Sequence, residues 1–352
     1  MPMEHFGFPL ETILIFFAVV AVSVYLDVFA HKKSTGISLR DAAGWSIFWV
    51  SLAILFYGYL WVRFNKIWAD LYLAGYALEK SLSVDNLMVF MAVFASFSIK
   101  GILQHRILYY GIIGALVFRA VFVVIGTELF HASPWVGFVF AVFVIWSAVK
   151  MLQRPSDGGD IEDYSNHWSV RLTGRLIPVY TKLYLDHFFV RHHEIFKGDT
   201  TDHTNGEAGD ADKSVADVTR AGVLYATPAF LCLMAIETSD IAFAFDSVPA
   251  VIAMTQEPLL VYAAMIFAIL GLRSLYFVLV ALTKYLAHLE KAVIALLFFI
   301  GAKMAIQAWN HAIFDTGIHI SPGWSLAIVL GMLALGVIAS FVFPEKGVER
   351  GA

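Results

Sequence analysis

Apolar positions in this chain run in long unbroken blocks, with neither the alternation of a half-buried strand nor the stripe of a surface helix. Nine blocks are present, near residues 9–30, 42–62, 70–97, 106–127, 135–152, 222–254, 258–281, 287–309 and 323–343. About 20 apolar residues suffice for a helix to cross the hydrocarbon core. The pattern therefore predicts an all-α polytopic membrane protein with nine transmembrane helices. The third and sixth blocks are over-long for straight spans, and these two are interrupted by acids.

The first interruption is Glu79-Lys80-Ser81-Leu82-Ser83-Val84-Asp85-Asn86. The second is Asp240-Ile241-Ala242-Phe243-Ala244-Phe245-Asp246-Ser247, with Glu237 three residues upstream. Each holds a carboxylate, five intervening residues, a second carboxylate and then a small polar side chain. A carboxylate at mid-bilayer costs about 2.5–3.5 kcal/mol even on the lenient insertion scale. Five of them in two spans point to a cation site. Asp85, Asp240 and Asp246 are the leading ligand candidates, Glu79 and Glu237 assist, and Asn86 and Ser247 offer neutral oxygens; Ser83 and Ser239 are weaker.

Setting Glu79 against Asp240 and Asp85 against Asp246 aligns more than the acids. The next block of each half carries one arginine, Arg119 and Arg273, and the block after that a Lys-Met pair, Lys150-Met151 and Lys303-Met304. Three matched features in one order predict a three-helix repeat, 70–152 and 222–309. The third helix runs inward and the sixth outward, so the repeats have inverted topology, a common transporter plan with a midplane site. Residues 1–69 then supply two peripheral helices, 153–221 a cytoplasmic loop, and 310–352 a ninth helix and tail.

An ideal helix rotates by about 600° over six residues, which leaves the two acids of each stretch some 120° apart. Bringing both to one ion requires a distorted or unwound backbone. Ser81, Ser83 and Pro249 are compatible with such breaks, with Gly75 as a further contributor.

Composition agrees with the bilayer reading: apolar residues make up 59% and charged residues 15%, far from soluble averages. The net charge of −4 says little, but the placement of Lys and Arg says much. Alternate connections hold 18 on one side and two, Arg63 and Lys66, on the other. Discounting the nine from Lys150 to Arg220, in the long connection, still leaves nine to two. By the positive-inside rule the N-terminus is outside and the C-terminus cytoplasmic. The first apolar block leads into Asp27 and a basic loop, so it reads as a retained helix and not a signal peptide. The lone Cys232 offers no disulfide framework and reads as a packing residue.

The alternative use of the acids is ion pairing with Lys80, Arg119 and Arg273, but five acids exceed three bases. Arg119 and Arg273 orient or neutralise acids in either case. Asp27 suits a local salt bridge as well as a place on the ion path, and Glu128 and His131 end a helix at the outer face as solvated groups. The carboxylate, amide and hydroxyl donors, with no His or Cys beside either motif, suit hard cations such as Mg²⁺, Ca²⁺ and Mn²⁺. The 153–221 connection holds His187, His192, His193 and His203 among many acids. Its 198–217 part reads as a disordered acidic insertion more than as a metal sensor. The stretch from Arg175 to Arg191 is suited to lie along the membrane surface. No P-loop or H-E-x-x-H element is present, so the chain reads as neither an ATPase nor an intramembrane enzyme. No organic cofactor and no nucleic-acid partner are expected, and the oligomeric state stays open.

Three stretches resemble the TerC family of integral membrane proteins, which includes Alx-type manganese exporters. They are Ala77 through Asn86, Phe188-Phe189-Val190-Arg191, and Thr227-Pro228 through Glu237 and Asp240 to Phe245-Asp246-Ser247-Val248-Pro249-Ala250. The resemblance covers nearly the whole chain. It implies a fold like that of LysE-type exporters, nine spans, an outside N-terminus, and export of Mn²⁺ across a bacterial inner membrane. The family's acidic membrane residues fall on Asp85, Asp240 and Asp246, with Glu79, Asn86 and Glu237 beside them. The 198–217 insertion departs from the short hairpin that the pattern implies. Some members are tied to tellurite resistance and relatives to metal supply for secreted enzymes.

The expected function is therefore a secondary transporter exporting Mn²⁺ in exchange for protons, since a divalent cation entering an acid cluster displaces protons. The alternatives are a metal-delivery or interaction protein without net transport, and an antiporter of Ca²⁺ or another divalent cation.

Overall fold

The computed structural model describes residues 8–30, 39–153, 164, 167–180, 187–191, 224–282, 288–313 and 320–342. Apolar blocks become helices because a backbone in hydrocarbon must satisfy its own N–H and C=O groups. In order they are α1 (Leu10–Ala30), α2 (Leu39–Arg63), α3 (Lys66–Ser96), α4 (Ile102–Ala132), α5 (Pro134–Leu152) and a short α6 (Trp168–Leu176). After two strands, β1 (Phe189–Arg191) and β2 (Leu224–Ala226), follow α7 (Pro228–Thr255), α8 (Pro258–Ile269), α9 (Leu272–Leu282), α10 (Leu289–Ala312) and α11 (Pro322–Val342).

Six helices, α2, α4, α5, α7, α10 and α11, are long and apolar enough to cross a membrane. A seventh span results if α8 and α9, bent by 50° at a short break, are taken together. The other two apolar blocks are also helical, but α3 carries Lys66, Asp70, Glu79, Lys80 and Asp85. That much charge keeps it from reading as a span by composition. The apolar stretch of α1, Leu10–Leu26, is short. By length and composition the described residues thus hold six or seven spans where the sequence predicts nine. The exterior is itself apolar: Val62 is 90% exposed, with Leu55, Val142 and Leu335 also facing outward. Such a surface suits lipid and not water.

The described residues group into two compact units. The first is built from parts of Met1–Met91, Ile112–Gly159 and Ser239–Ala352. Its core is aromatic at one end, where Phe56 meets Tyr72 and Phe267 with ring centroids 5.1 Å apart in both pairs. It is centred on α8, whose residues from Leu259 to Ile269 are buried on nearly every side. Small residues let the other helices close up. A Cβ on Gly137 would stand 2.9 Å from Ala308 Cβ, and one on Gly301 would stand 2.5 Å from Ile145, so α5 and α10 run nearly backbone to backbone. Ser340 of α11 accepts from the His288 backbone N–H at the start of α10.

The sequence predicts one straight span over 258–281, and the structure breaks it. Helix α8 stops at Leu270, and Gly271 takes a φ of +81° before α9 begins. The break also lets α2 approach, since a Cβ on Gly271 would stand 2.4 Å from the Trp49 indole. Gly271→Ala is expected to lower stability by about 3 kcal/mol, combining the left-handed backbone penalty with overpacking. A thermal melt in detergent checks this, and an unchanged midpoint would show that the break tolerates a side chain.

The second unit is built from Ala92–Gly111 and parts of Asp160–Thr238. Strands β1 and β2 pair antiparallel with Val190 opposite Tyr225, so the described residues are all-α apart from this ribbon. Val179 bridges Ala226 on β2's other side, and Thr227 Oγ1 donates to the carbonyls of His187 and Phe188. The described parts of 175–191 are therefore the end of α6, this bridge and β1. Cys232 is buried as a packing residue. The insertion at 198–217, with His192, His193 and His203, lies outside the described residues.

Candidate cation site

Neither acidic stretch is unwound. Helix α3 passes through Glu79 to Asn86 and α7 through Asp240 to Ser247 without a break, which corrects the expectation of distorted backbone around the acids. Local bonding explains why the serine does not break α3: Ser83 Oγ donates to the Glu79 carbonyl four residues back, staying within the helical pattern. Pro249 sits inside α7 without ending it. Gly75 marks a close approach and not a kink, since its Cβ would stand 2.9 Å from Thr255 Cγ2.

Because both helices are regular, the two acids of each stretch face different ways. The second stands about 9 Å farther along its axis. The structure sorts them by order within their stretch. The first acids, Glu79 and Asp240, converge on Arg119 of α4. One guanidinium nitrogen pairs with Glu79 Oε1, and the other donates to Asp240 Oδ1 at 3.1 Å. All three side chains are buried. Fork geometry suits Arg for holding two carboxylates at once. The triad has a net formal charge of −1, and Glu79 Oε2 and Asp240 Oδ2 have no hydrogen-bond partner among the described residues.

The second acids, Asp85 and Asp246, line a cavity of about 40 Å³ with their neutral neighbours Asn86 and Ser247. Leu82, Phe243 and Leu297 supply apolar walls, and α5 contributes Ser147 and Met151. A buried water needs about 10–15 Å³ on the same kind of measure, so the space suits a partly hydrated ion. Ser247 is 2% exposed, and its Oγ is without a hydrogen-bond partner among the described residues. Two carboxylates balance the charge of one divalent cation, and amide and hydroxyl oxygens complete a donor set for a hard ion.

The predicted residues thus divide. Asp85, Asn86, Asp246 and Ser247 come together; Glu79 and Asp240 form a separate ion-paired group. Among the described residues no three His, Cys, Asp or Glu side chains gather as a metal cluster, consistent with a cavity holding two acids and not five. Glu237 is half-buried on the α7 turn that belongs to the second unit. Lys80, expected beside the acids, instead donates to the Ala268 carbonyl at 3.1 Å, at the broken end of α8. Arg273 is buried in the first turn of α9, two residues past the break. The side chain of Asp27 lies outside the described residues.

Ser147 and Met151 are the residues that sequence reasoning missed. Their i,i+4 spacing puts them on one face of α5, but the Lys150-Met151 pair served only as a repeat marker. The matched lysines prove dissimilar: Lys150 is exposed over the Trp146 ring, whereas Lys303 is buried with its Nζ 3.8 Å from Met254 Sδ. At the end of α4, Glu128 and His131 are both exposed as expected, and His131 also bonds the Gln256 carbonyl. Partial burial raises the pKa of the neighbouring Glu257, and His131 offsets part of that rise.

A family model described as "Integral membrane protein TerC family" matches residues 64–347. The chain is 49% identical over 350 residues to the "Tellurium resistance protein TerC" of Serratia marcescens, covering 98% of both chains. It is 34% identical over 334 residues to the "Putative membrane-bound redox modulator Alx" of Salmonella typhi, covering 92% of this chain and 91% of that one. To the Alx of Escherichia coli (strain K12) it is 33% identical over 348 residues, with 96% of each covered. No solved structure matches.

Proposed function

The chain belongs to the TerC family of integral membrane proteins, and from that premise we propose that it exports a divalent cation, Mn²⁺, from the cytoplasm in exchange for protons. The observation that carries this reading is the cavity between α3, α5, α7 and α10, where Asp85 and Asp246 meet neutral oxygen donors in an apolar surround. A 2+ ion entering it is neutralised by the two carboxylates, while a third acid would leave a costly excess of buried charge. The triad around Arg119 is a positioning element and takes no part in ligation. In this reading all nine apolar blocks cross a bacterial inner membrane. The N-terminus lies outside and the C-terminus in the cytoplasm, and the two acidic helices belong to inverted three-helix repeats.

The names of the relatives concern tellurium resistance and redox modulation. A tellurium oxyanion is not a cargo for this cavity, since two carboxylates repel it. Resistance in those proteins would then follow indirectly from cation balance.

The test is uptake by the purified protein in liposomes, with Mn²⁺, Ca²⁺, Mg²⁺ and Zn²⁺ offered at two pH values. Mn²⁺ uptake without any partner protein is expected, accompanied by protons moving the opposite way. Protein-dependent binding without uptake would replace transport by metal delivery, and uptake indifferent to a proton gradient would remove the exchange.

A further inference from the structure

We propose that Met151 sets the selectivity of the cavity, turning an oxygen site open to any hard divalent cation into one that prefers a transition metal over Ca²⁺ and Mg²⁺. The inference rests on the cavity being the transport site and adds what the carboxylates alone cannot decide. Asp85, Asn86, Ser147, Asp246 and Ser247 are oxygen-bearing, and oxygen donors serve Mg²⁺, Ca²⁺ and Mn²⁺ alike. Met151 brings the one sulfur among the described residues lining it.

Three observations converge on this residue. Ser247 lines the same space with its buried hydroxyl lacking a hydrogen-bond partner among the described residues, so an unused oxygen donor faces a mostly apolar cavity. Met151 and Ser147 stand one turn apart on α5, so a hard oxygen and a soft sulfur come from one helix face. The volume of about 40 Å³ takes only about three waters, fewer than a full hydration shell. An ion entering it therefore exchanges part of its hydration for these side chains. Mg²⁺ gives up its water reluctantly, and Ca²⁺ seeks six to eight oxygens. A thioether adds little for either. A transition metal accepts the polarizable sulfur, and the gain rises along the divalent series from Mn²⁺ onward.

The test is Met151→Leu, a swap close in volume that removes only the sulfur. In liposomes loaded from mixed Mn²⁺ and Ca²⁺, the Mn²⁺/Ca²⁺ uptake ratio is expected to fall about tenfold, equivalent to about 1.4 kcal/mol, with Ca²⁺ uptake retained. X-ray absorption of the Cd²⁺-loaded protein gives a readout independent of transport: a sulfur scatterer in the native protein, absent from the Leu variant. An unchanged uptake ratio, or no sulfur scatterer in the native protein, overturns the inference. Asp246→Asn separates the two levels. If it abolishes uptake while Met151→Leu leaves the ratio alone, the cavity stands and the selectivity role falls. If Asp246→Asn leaves uptake intact, the transport site lies elsewhere and the inference falls with it.

Discussion

Asn at both Asp85 and Asp246 is expected to abolish Mn²⁺ uptake into liposomes while the protein still folds. The exchange is nearly isosteric, so packing around the cavity is kept and only its two negative charges are lost. Partners that merely orient a metal ligand cost about 10–100-fold when removed, so loss of both direct carboxylates should exceed the upper end of that range. Each single variant should also fail, since one carboxylate leaves a buried 2+ ion half neutralised. Thermal midpoints at or above the native value are expected, because two like charges no longer share a small space. Uptake that survives the double substitution would remove the cavity as the transport site.

Arg119→Met is expected to destabilise the protein by about 3–5 kcal/mol, the cost of leaving buried charge without its partner. Here the stranded groups are Glu79 and Asp240, both almost inaccessible to solvent. The combination of Arg119→Met with Glu79→Gln and Asp240→Asn should recover most of that loss, because a buried charged triad replaced as a unit is often neutral or better. Arg119→Lys should recover less, since an ammonium lacks the fork that reaches two carboxylates. Detergent melts of the four proteins check the series. A single Arg119→Met variant as stable as the native protein would show that the triad contributes no net pairing.

Much of this was legible in the chain because bilayer physics is strict. Long apolar blocks must be helices, and all nine predicted blocks have helical cores. The expense of intramembrane charge also marked Glu79, Asp85, Glu237, Asp240 and Asp246 without any structure. The grouping was not legible. Reading Glu79, Asp85, Asp240 and Asp246 as one site forced the prediction of unwound backbone. Regular helices instead distribute the same residues between an arginine and a cavity. The break at Gly271 escaped notice because one glycine in an apolar block looks like packing; only its φ and the approach of Trp49 reveal the bend. Ser147 and Met151 were hidden for a different reason: neither residue type is costly in a membrane, so nothing in the local sequence marks them.

The adjacent pair Glu79 and Lys80 constrains how this unit can move. Consecutive residues on a helix point about 100° apart, and here one is pinned to Arg119 of α4 while the other is pinned to the Ala268 carbonyl of α8. Two pins in different directions within a single turn remove both the spin of α3 about its axis and its slide along it. Asp85, less than two turns away, inherits that fixed orientation. Arg119 also holds Asp240 of α7, so under the proposed transport a motion that opens the cavity carries α3, α4, α7 and α8 together as one block. The walls left to move are those that α5 and α10 supply through Ser147, Met151 and Leu297.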